Sequence, residues 1–115
     1  MMALQHDVIH LIMSWIDENI DKPLKIDDVA RRAGYSRWHL QRLFHQETRQ
    51  TLASYIRDRK LEYAANDLKD PEQSILEISF RYGFDSQQSF TRTFSRKYHM
   101  PPGSWRKKYH YHSQE

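Results

Sequence analysis

The chain of 115 residues has no cysteine, three glycines and four prolines. Without cysteine, neither a disulfide framework nor a thiolate metal site can form. With so few turn formers, a fold of many short strands joined by tight hairpins is excluded. No stretch approaches the roughly 18–20 consecutive apolar residues that a membrane-spanning helix needs. The N-terminus also lacks the basic region and long apolar run of a secretory signal. These absences predict a soluble protein of the cytoplasm that works without an anchor. Catalytic patterns are missing too: there is no Gly-rich phosphate loop, no His-Glu-x-x-His run and no nucleophile elbow. His6, His10, His39, His45 and His99 are scattered, and His110-Tyr111-His112 lacks carboxylate or thiolate partners nearby. The expectation is no enzyme, no metal site and no cofactor.

What is present fits one small domain, or two very small ones sharing an architecture, with 38% hydrophobic residues to build a modest core. The net charge is +3, but it is unevenly spread. Residues 1–30 hold six acids (Asp7, Asp17, Glu18, Asp21, Asp27, Asp28) against Lys22 and Lys25. Residues 37–60 hold six bases (Arg37, Arg42, Arg49, Arg57, Arg59, Lys60) against Glu47 and Asp58. Residues 81–108 hold seven bases (Arg81, Arg92, Arg96, Lys97, Arg106, Lys107, Lys108) against Asp85. Such asymmetry points to one basic face and a polyanionic partner; on charge alone the alternative is a merely solvated surface.

Hydrophobic spacing gives an all-α fold of about seven helices. Val8, Ile9, Leu11, Ile12, Trp15, Ile16 and Ile20 recur at three- and four-residue intervals, and Pro23 ends that helix. Val29, Ala30 and Ala33 mark a short second helix, with Asp27 and Asp28 in its first turn. Gly34 turns the chain. Ser36 caps a third helix to about Glu47, and Thr51 caps a long fourth one reaching about Lys69, before Pro71. Ser74 and Glu77 form a capping-box pair ahead of Ile75, Ile78 and Phe80. Gly83 turns the chain again, and Asp85 or Ser86 starts a helix to about Tyr98. Pro101-Pro102 end it, and Gly103 to Tyr109 form a short terminal helix with Trp105 and Tyr109 as packing residues. Residues 109–115 read as a flexible tail.

The third helix has two faces of different chemistry. Leu40, Leu43 and Phe44 form an apolar stripe, while Trp38, Gln41 and Arg42 share the same spacing in another direction. Gln and Arg are the side chains that read adenine and guanine edges in a major groove, and Trp adds a broad apolar contact. The pattern then recurs. Gly34-Tyr35 matches Gly83-Phe84 at an offset of 49, and Ser36, Leu40, Arg42 and Phe44 match Ser86, Phe90, Arg92 and Phe94 at an offset of 50. Asp85 is the extra residue in the second turn. In this second copy Phe90 and Phe94 face inward, while Gln87, Gln88 and Arg92, with Ser89 at the edge, lie opposite. Each copy reads as short helix, glycine turn, longer helix, the helix-turn-helix pattern.

The expected architecture is two helix-turn-helix subdomains, about 27–48 and 75–98, joined by a long central helix over about 51–69. About 18 helical residues span about 27 Å, and successive major grooves on one face of B-DNA are about 34 Å apart. A single chain carrying two unlike readers then predicts an asymmetric double-stranded site of about 20 base pairs. The rival expectation is a helical adaptor acting mainly by binding RNA polymerase, for which Trp38, Gln87 and Gln88 would be neutral toward DNA.

The residues Trp15-Ile16-Asp17, Gly34 through Arg42, Tyr55-Ile56-Arg57, Tyr82 through Gln88 and Thr91-Arg92-Thr93-Phe94 resemble the AraC/XylS family of transcription regulators. The resemblance covers about residues 5–108 and favours the stand-alone MarA/SoxS/Rob/RamA-like branch, RamA-like members above all. It implies an activator of multidrug-resistance and stress promoters, monomeric on DNA, that contacts RNA polymerase and associates with the nucleoid when bound. It implies base contacts by Trp38, Gln41, Arg42, Gln87, Gln88, Ser89 and Arg92. Ser89 stands where relatives often have threonine, which implies the loss of a methyl contact. Arg37, His39, Thr91 and Arg96 are implied to lie toward phosphates. The chain is too short for the small-molecule effector domain of many members.

Overall fold

A computed structural model describes the backbone of residues 2–110 and the side chains of residues 7–110. Among the described residues all regular structure is helical: α1 (Met2–Glu18), α2 (Ile26–Ala33), α3 (Arg37–Thr48), α4 (Leu52–Asp67), α5 (Ile75–Arg81), α6 (Gln87–Tyr98) and α7 (Pro102–Tyr109). None of these helices is long and apolar enough to cross a membrane. The chain divides into two compact units, Met1–Arg59 and Lys60–Glu115, and the division falls inside α4.

In the first unit α1 buries Ile9, Ile12 and Ile16 against α2 and α3, leaving Leu11 70% exposed. The helix stops at Glu18, well before Pro23. Asn19 causes this: its side-chain amide donates to the Trp15 carbonyl at 2.8 Å, and its backbone N–H turns back to Ile16 at 3.1 Å. Ile20 is buried from the turn that follows, not from the helix. Gly34 closes α2 at φ +81°, a left-handed conformation that costs other residues energy, and the Tyr35 N–H bonds back to the Ala30 carbonyl at 3.0 Å. The Ser36 hydroxyl accepts the His39 N–H at 3.1 Å and so starts α3. Leu40, Leu43 and Phe44 are buried, and Phe44 meets Tyr55 at a ring distance of 5.4 Å. Arg59 grips Asp17 with two bonds, of 2.9 and 3.1 Å.

Thr51 caps α4 by accepting the Ser54 N–H at 3.1 Å. The helix has 16 residues, so it spans about 24 Å, somewhat less than the sequence suggested. Its missing end is used otherwise. Leu68 is buried just beyond the helix, and the carbonyls of residues 68, 70 and 73 are taken by a side chain from α7.

The second unit begins with the expected capping box, Ser74 and Glu77 exchanging bonds of 2.9 and 3.1 Å. Phe80, the last apolar residue of this helix, is 53% exposed. It lies two residues from buried Ile78, about 200° around the helix, so the two cannot share a face. Where α5 packs on α6 the buried position belongs to Ser79, whose hydroxyl is satisfied by donating to the Leu76 carbonyl at 2.7 Å. Gly83 repeats the left-handed turn at φ +84°, with Phe84 N–H bonding to the Ser79 carbonyl at 3.0 Å. Ser86 caps α6 through the Ser89 N–H at 3.0 Å.

The terminal helix starts at Pro102, which is buried at the first helical position, where a missing N–H costs nothing. Trp105 donates its indole N–H to the Ala65 carbonyl at 3.0 Å. Arg106 donates from Nε to the Leu68 carbonyl at 2.8 Å and from Nη2 to the carbonyls of Asp70 and Gln73. Tyr109 is the last residue of α7, 4.3 Å from the Trp105 ring, the packing place expected of it in the terminal helix. Residues 111–115, with His112, lie outside the described residues.

The internal repeat runs further than the glycine turns and their helices. Arg49 and His99, fifty residues apart, both end their helices in left-handed backbone, at φ 64° and 63°. Thr51 and Pro101 then precede the next helices, where Leu52 and Pro102 are both buried. Tyr55 and Trp105 complete the series, the first meeting Phe44 at a tilt at 5.4 Å and the second meeting Phe94 edge-on at 5.8 Å. The start of α4 is therefore the counterpart of α7.

Candidate nucleic-acid interface

Burial of one face of α3 determines what its other face presents. With Leu40, Leu43 and Phe44 inside, Trp38 is left 67% exposed. A single exposed apolar side chain is ordinary on a protein surface, so what matters here is what lies beside it. Arg42, one turn on, lies over the Trp38 ring with Cζ 5.1 Å from the centroid. Gln41 is half-buried beside them. Of the three residues the sequence grouped, the structure joins Trp38 and Arg42 directly.

The α3 residues expected on the phosphate side have local partners. Arg37 is exposed and pairs with Asp27 of α2 at 3.5 Å. With both groups well exposed, this pair is a weak tie that a phosphate could replace. His39 is exposed and meets the Tyr35 ring edge-on at 4.9 Å. The sequence placed Asp27 in the first turn of the second helix and Tyr35 in the repeated glycine turn, but gave neither a contact with α3; the packing of α2 on α3 brings them there.

On α6, Phe90 and Phe94 are completely buried, and Gln87, Gln88 and Arg92 are exposed. Gln87 and Gln88 open the helix, where side chains reach outward past its end. Ser89 is half-buried: its N–H serves the Ser86 cap, and its carbonyl accepts the Thr93 hydroxyl at 3.0 Å. Its own hydroxyl remains for a partner. Thr91 is half-buried, and Arg96 is exposed in the last turn. Arg92 and Arg96 make no ion pair with the described residues. The arginines are thus available to an outside anion.

Behind α6 the scaffold is stiffened by groups the sequence did not reveal. Asp67 accepts the Tyr82 hydroxyl at 2.6 Å and the Arg81 guanidinium at 2.8 Å. Burial, the hydrogen bond to Asp67 and that carboxylate's charge hold the Tyr82 phenol well above the usual tyrosine range. Lys60 is half-buried with its Nζ against the Gly83 turn, and burial lowers its pKa. Among the described residues no three His, Cys, Asp or Glu side chains gather as a metal site would require.

The geometry is matched by likeness to known proteins. A family model described as a helix-turn-helix domain matches residues 29–108. Over 98 residues the chain is 47% identical to the multiple antibiotic resistance protein MarA of Escherichia coli (strain K12), covering 85% of this chain and 77% of that protein. Over 99 residues it is 46% identical to the regulatory protein SoxS of Salmonella typhimurium, covering 86% and 92%. A crystal structure of an AraC-type transcriptional regulator from Chromobacterium violaceum has a TM-score of 0.85 at 29% identity, covering 92% of this chain and 95% of that one. The DNA-binding domain of AdpA, solved in complex with a target DNA, shares the fold at a TM-score of 0.78 and 22% identity, covering 88% and 91%.

Proposed function

The chain belongs to the AraC/XylS family of helix-turn-helix transcription regulators, and from that premise we propose that α3 and α6 are its two DNA-reading helices. It is a sequence-specific DNA-binding regulator; the relatives' names speak of antibiotic resistance and regulation, and activation of resistance and stress promoters is the role that the family resemblance implies. The observation that carries the assignment is the paired arrangement. Each reader buries an apolar side at the same register, Leu40 and Phe44 or Phe90 and Phe94. Each turns an arginine outward at the same place, Arg42 or Arg92.

Trp38, Gln41 and Arg42 read one half of the site, and Gln87, Gln88, Ser89 and Arg92 read the other. Arg37, His39, Thr91 and Arg96 serve the phosphates, which fix position without carrying sequence. Two unlike readers in one chain favour an asymmetric site of about 20 base pairs bound by a monomer. RNA polymerase is the partner through which an activator of this kind acts, and its place of work is the cytoplasm, on the chromosome. No step calls for a cofactor or an effector molecule.

Selection of bound sequences with purified protein tests the assignment. Arg42→Ala should weaken the preferred site by about 1–3 kcal/mol and relax one base position in one half; Arg92→Ala should do so in the other half. Equal weakening of all sequences would overturn direct reading. No effect of either change on DNA would favour an adaptor working mainly through RNA polymerase.

A further inference from the structure

Resting on the reading role given to Arg42 above, we propose that Trp38 is a positioning residue for Arg42, a shelf that holds the guanidinium ready before DNA arrives. The two residues are four apart on α3 and so share one strip of helix surface. The indole face is free of the core, 67% exposed, and the Arg42 Cζ lies 5.1 Å from its centroid, inside the range of a cation–π contact. Arg42 makes no ion pair with the described residues, so no carboxylate draws the guanidinium elsewhere. A guanidinium recognises guanine with two parallel donors, and that recognition demands a fixed plane as well as a charge. A ring face beneath it narrows the orientations the guanidinium can take. The indole thereby removes part of the ordering that a long, four-torsion side chain must otherwise undergo on binding.

The second reader provides an internal control. Gln88 stands fifty residues after Trp38, so Arg92 has an amide, not a ring, at the position one turn before it. Both side chains are exposed, and no ring contact of Arg92 accompanies them among the described residues. The first reader is therefore built with its arginine already placed, while the second orders its arginine on the DNA. Discrimination at the base read by Arg42 should depend on the aromatic character of residue 38, separately from any contact the indole itself makes.

The experiment uses the full chain and duplexes carrying the preferred site or single-base changes at the position that Arg42→Ala relaxes. Trp38→Leu keeps apolar bulk without a π face; Trp38→Phe keeps a ring. The expected result is a further loss of about two- to five-fold in discrimination at that one base for Trp38→Leu, beyond any uniform weakening, with Trp38→Phe retaining the larger part. In an Arg42→Ala background the difference between the two variants should vanish. If Trp38→Leu weakens every duplex equally, or the leucine–phenylalanine difference persists without Arg42, the positioning role is overturned. If Arg42→Ala with Trp38 intact relaxes no base, the reading role itself falls, and the shelf with it.

Discussion

The first helix-turn-helix copy is backed by α1 and tied by the Arg59–Asp17 ion pair. The second has no counterpart of α1 among the described residues; it is tied by α7, whose Arg106 holds the carbonyls of Leu68, Asp70 and Gln73. Both arginines make several bonds, but to different acceptors. The Asp17 carboxylate is half-buried, and it can regain water when its partner leaves, so the pair contributes modestly. Carbonyls in a tight connection have fewer alternatives, and leaving them unmet costs more. The same reader frame is thus held by an exchangeable contact in one copy and by a backbone clamp in the other.

Four sets of substitutions break or sharpen this comparison, from the largest effect downward. Phe44→Ala and Phe94→Ala should each cost about 3–5 kcal/mol, as large-to-small changes at fully buried sites do. Phe94 should sit at the upper end, because it touches Phe90, Tyr98 and Trp105, where Phe44 has Tyr55. Urea unfolding measures both, and equal values would show that the aromatic cluster adds nothing.

Arg106→Ala should cost about 2–3 kcal/mol, against about 1 kcal/mol for Arg59→Ala. Amide exchange should localise the first loss to residues 68–82. If Arg59→Ala proves the more damaging, the contrast between clamp and ion pair is wrong.

Tyr82→Phe should cost about 1–2 kcal/mol near neutral pH, since Asp67 keeps Arg81 as a partner. The raised phenol pKa also has a sign. The folded state keeps a proton that the unfolded chain loses near pH 10, so this stabilisation is complete below about pH 10 and fades as pH rises toward the folded value. The phenylalanine variant should lose less stability between about pH 9.5 and 11 than the parent chain does. Parallel alkaline unfolding curves would refute the linkage.

The smallest effect concerns the two left-handed caps. A non-glycine residue there is strained by roughly 1–2 kcal/mol, offset in part by the greater unfolded freedom of glycine. Arg49→Gly and His99→Gly should each raise stability by about 0.5–1 kcal/mol. A gain at one site only would mean that the copies end their reader helices differently.

Much of this was legible because local rules act within a few residues. Ser36, Thr51, Ser74 and Ser86 announced helix starts, and all four accept the expected backbone N–H. Buried Leu40, Phe44, Phe90 and Phe94 followed from three- and four-residue spacing alone. The failures have local reasons of their own. Asn19 overrode Pro23 by capturing carbonyls earlier, and Phe80, two residues from Ile78, turns outward. The further half of the repeat was hidden because Thr51-Leu52 and Pro101-Pro102 do the same work with unlike side chains.

By itself, then, the sequence determined an all-α chain, the reader helices and the residues each turns away from its core, since periodicity and capping are properties of short segments. Only the tertiary structure decided which groups hold those readers. The Asp17–Arg59 pair, the Asp67–Tyr82 bond and the Arg106 clamp join residues far apart in the chain, and their acceptors include backbone carbonyls that every residue carries. No pattern of side chains can mark a carbonyl as the one that will be bonded. Packing makes that choice, by bringing one of many equivalent acceptors within reach of a donor.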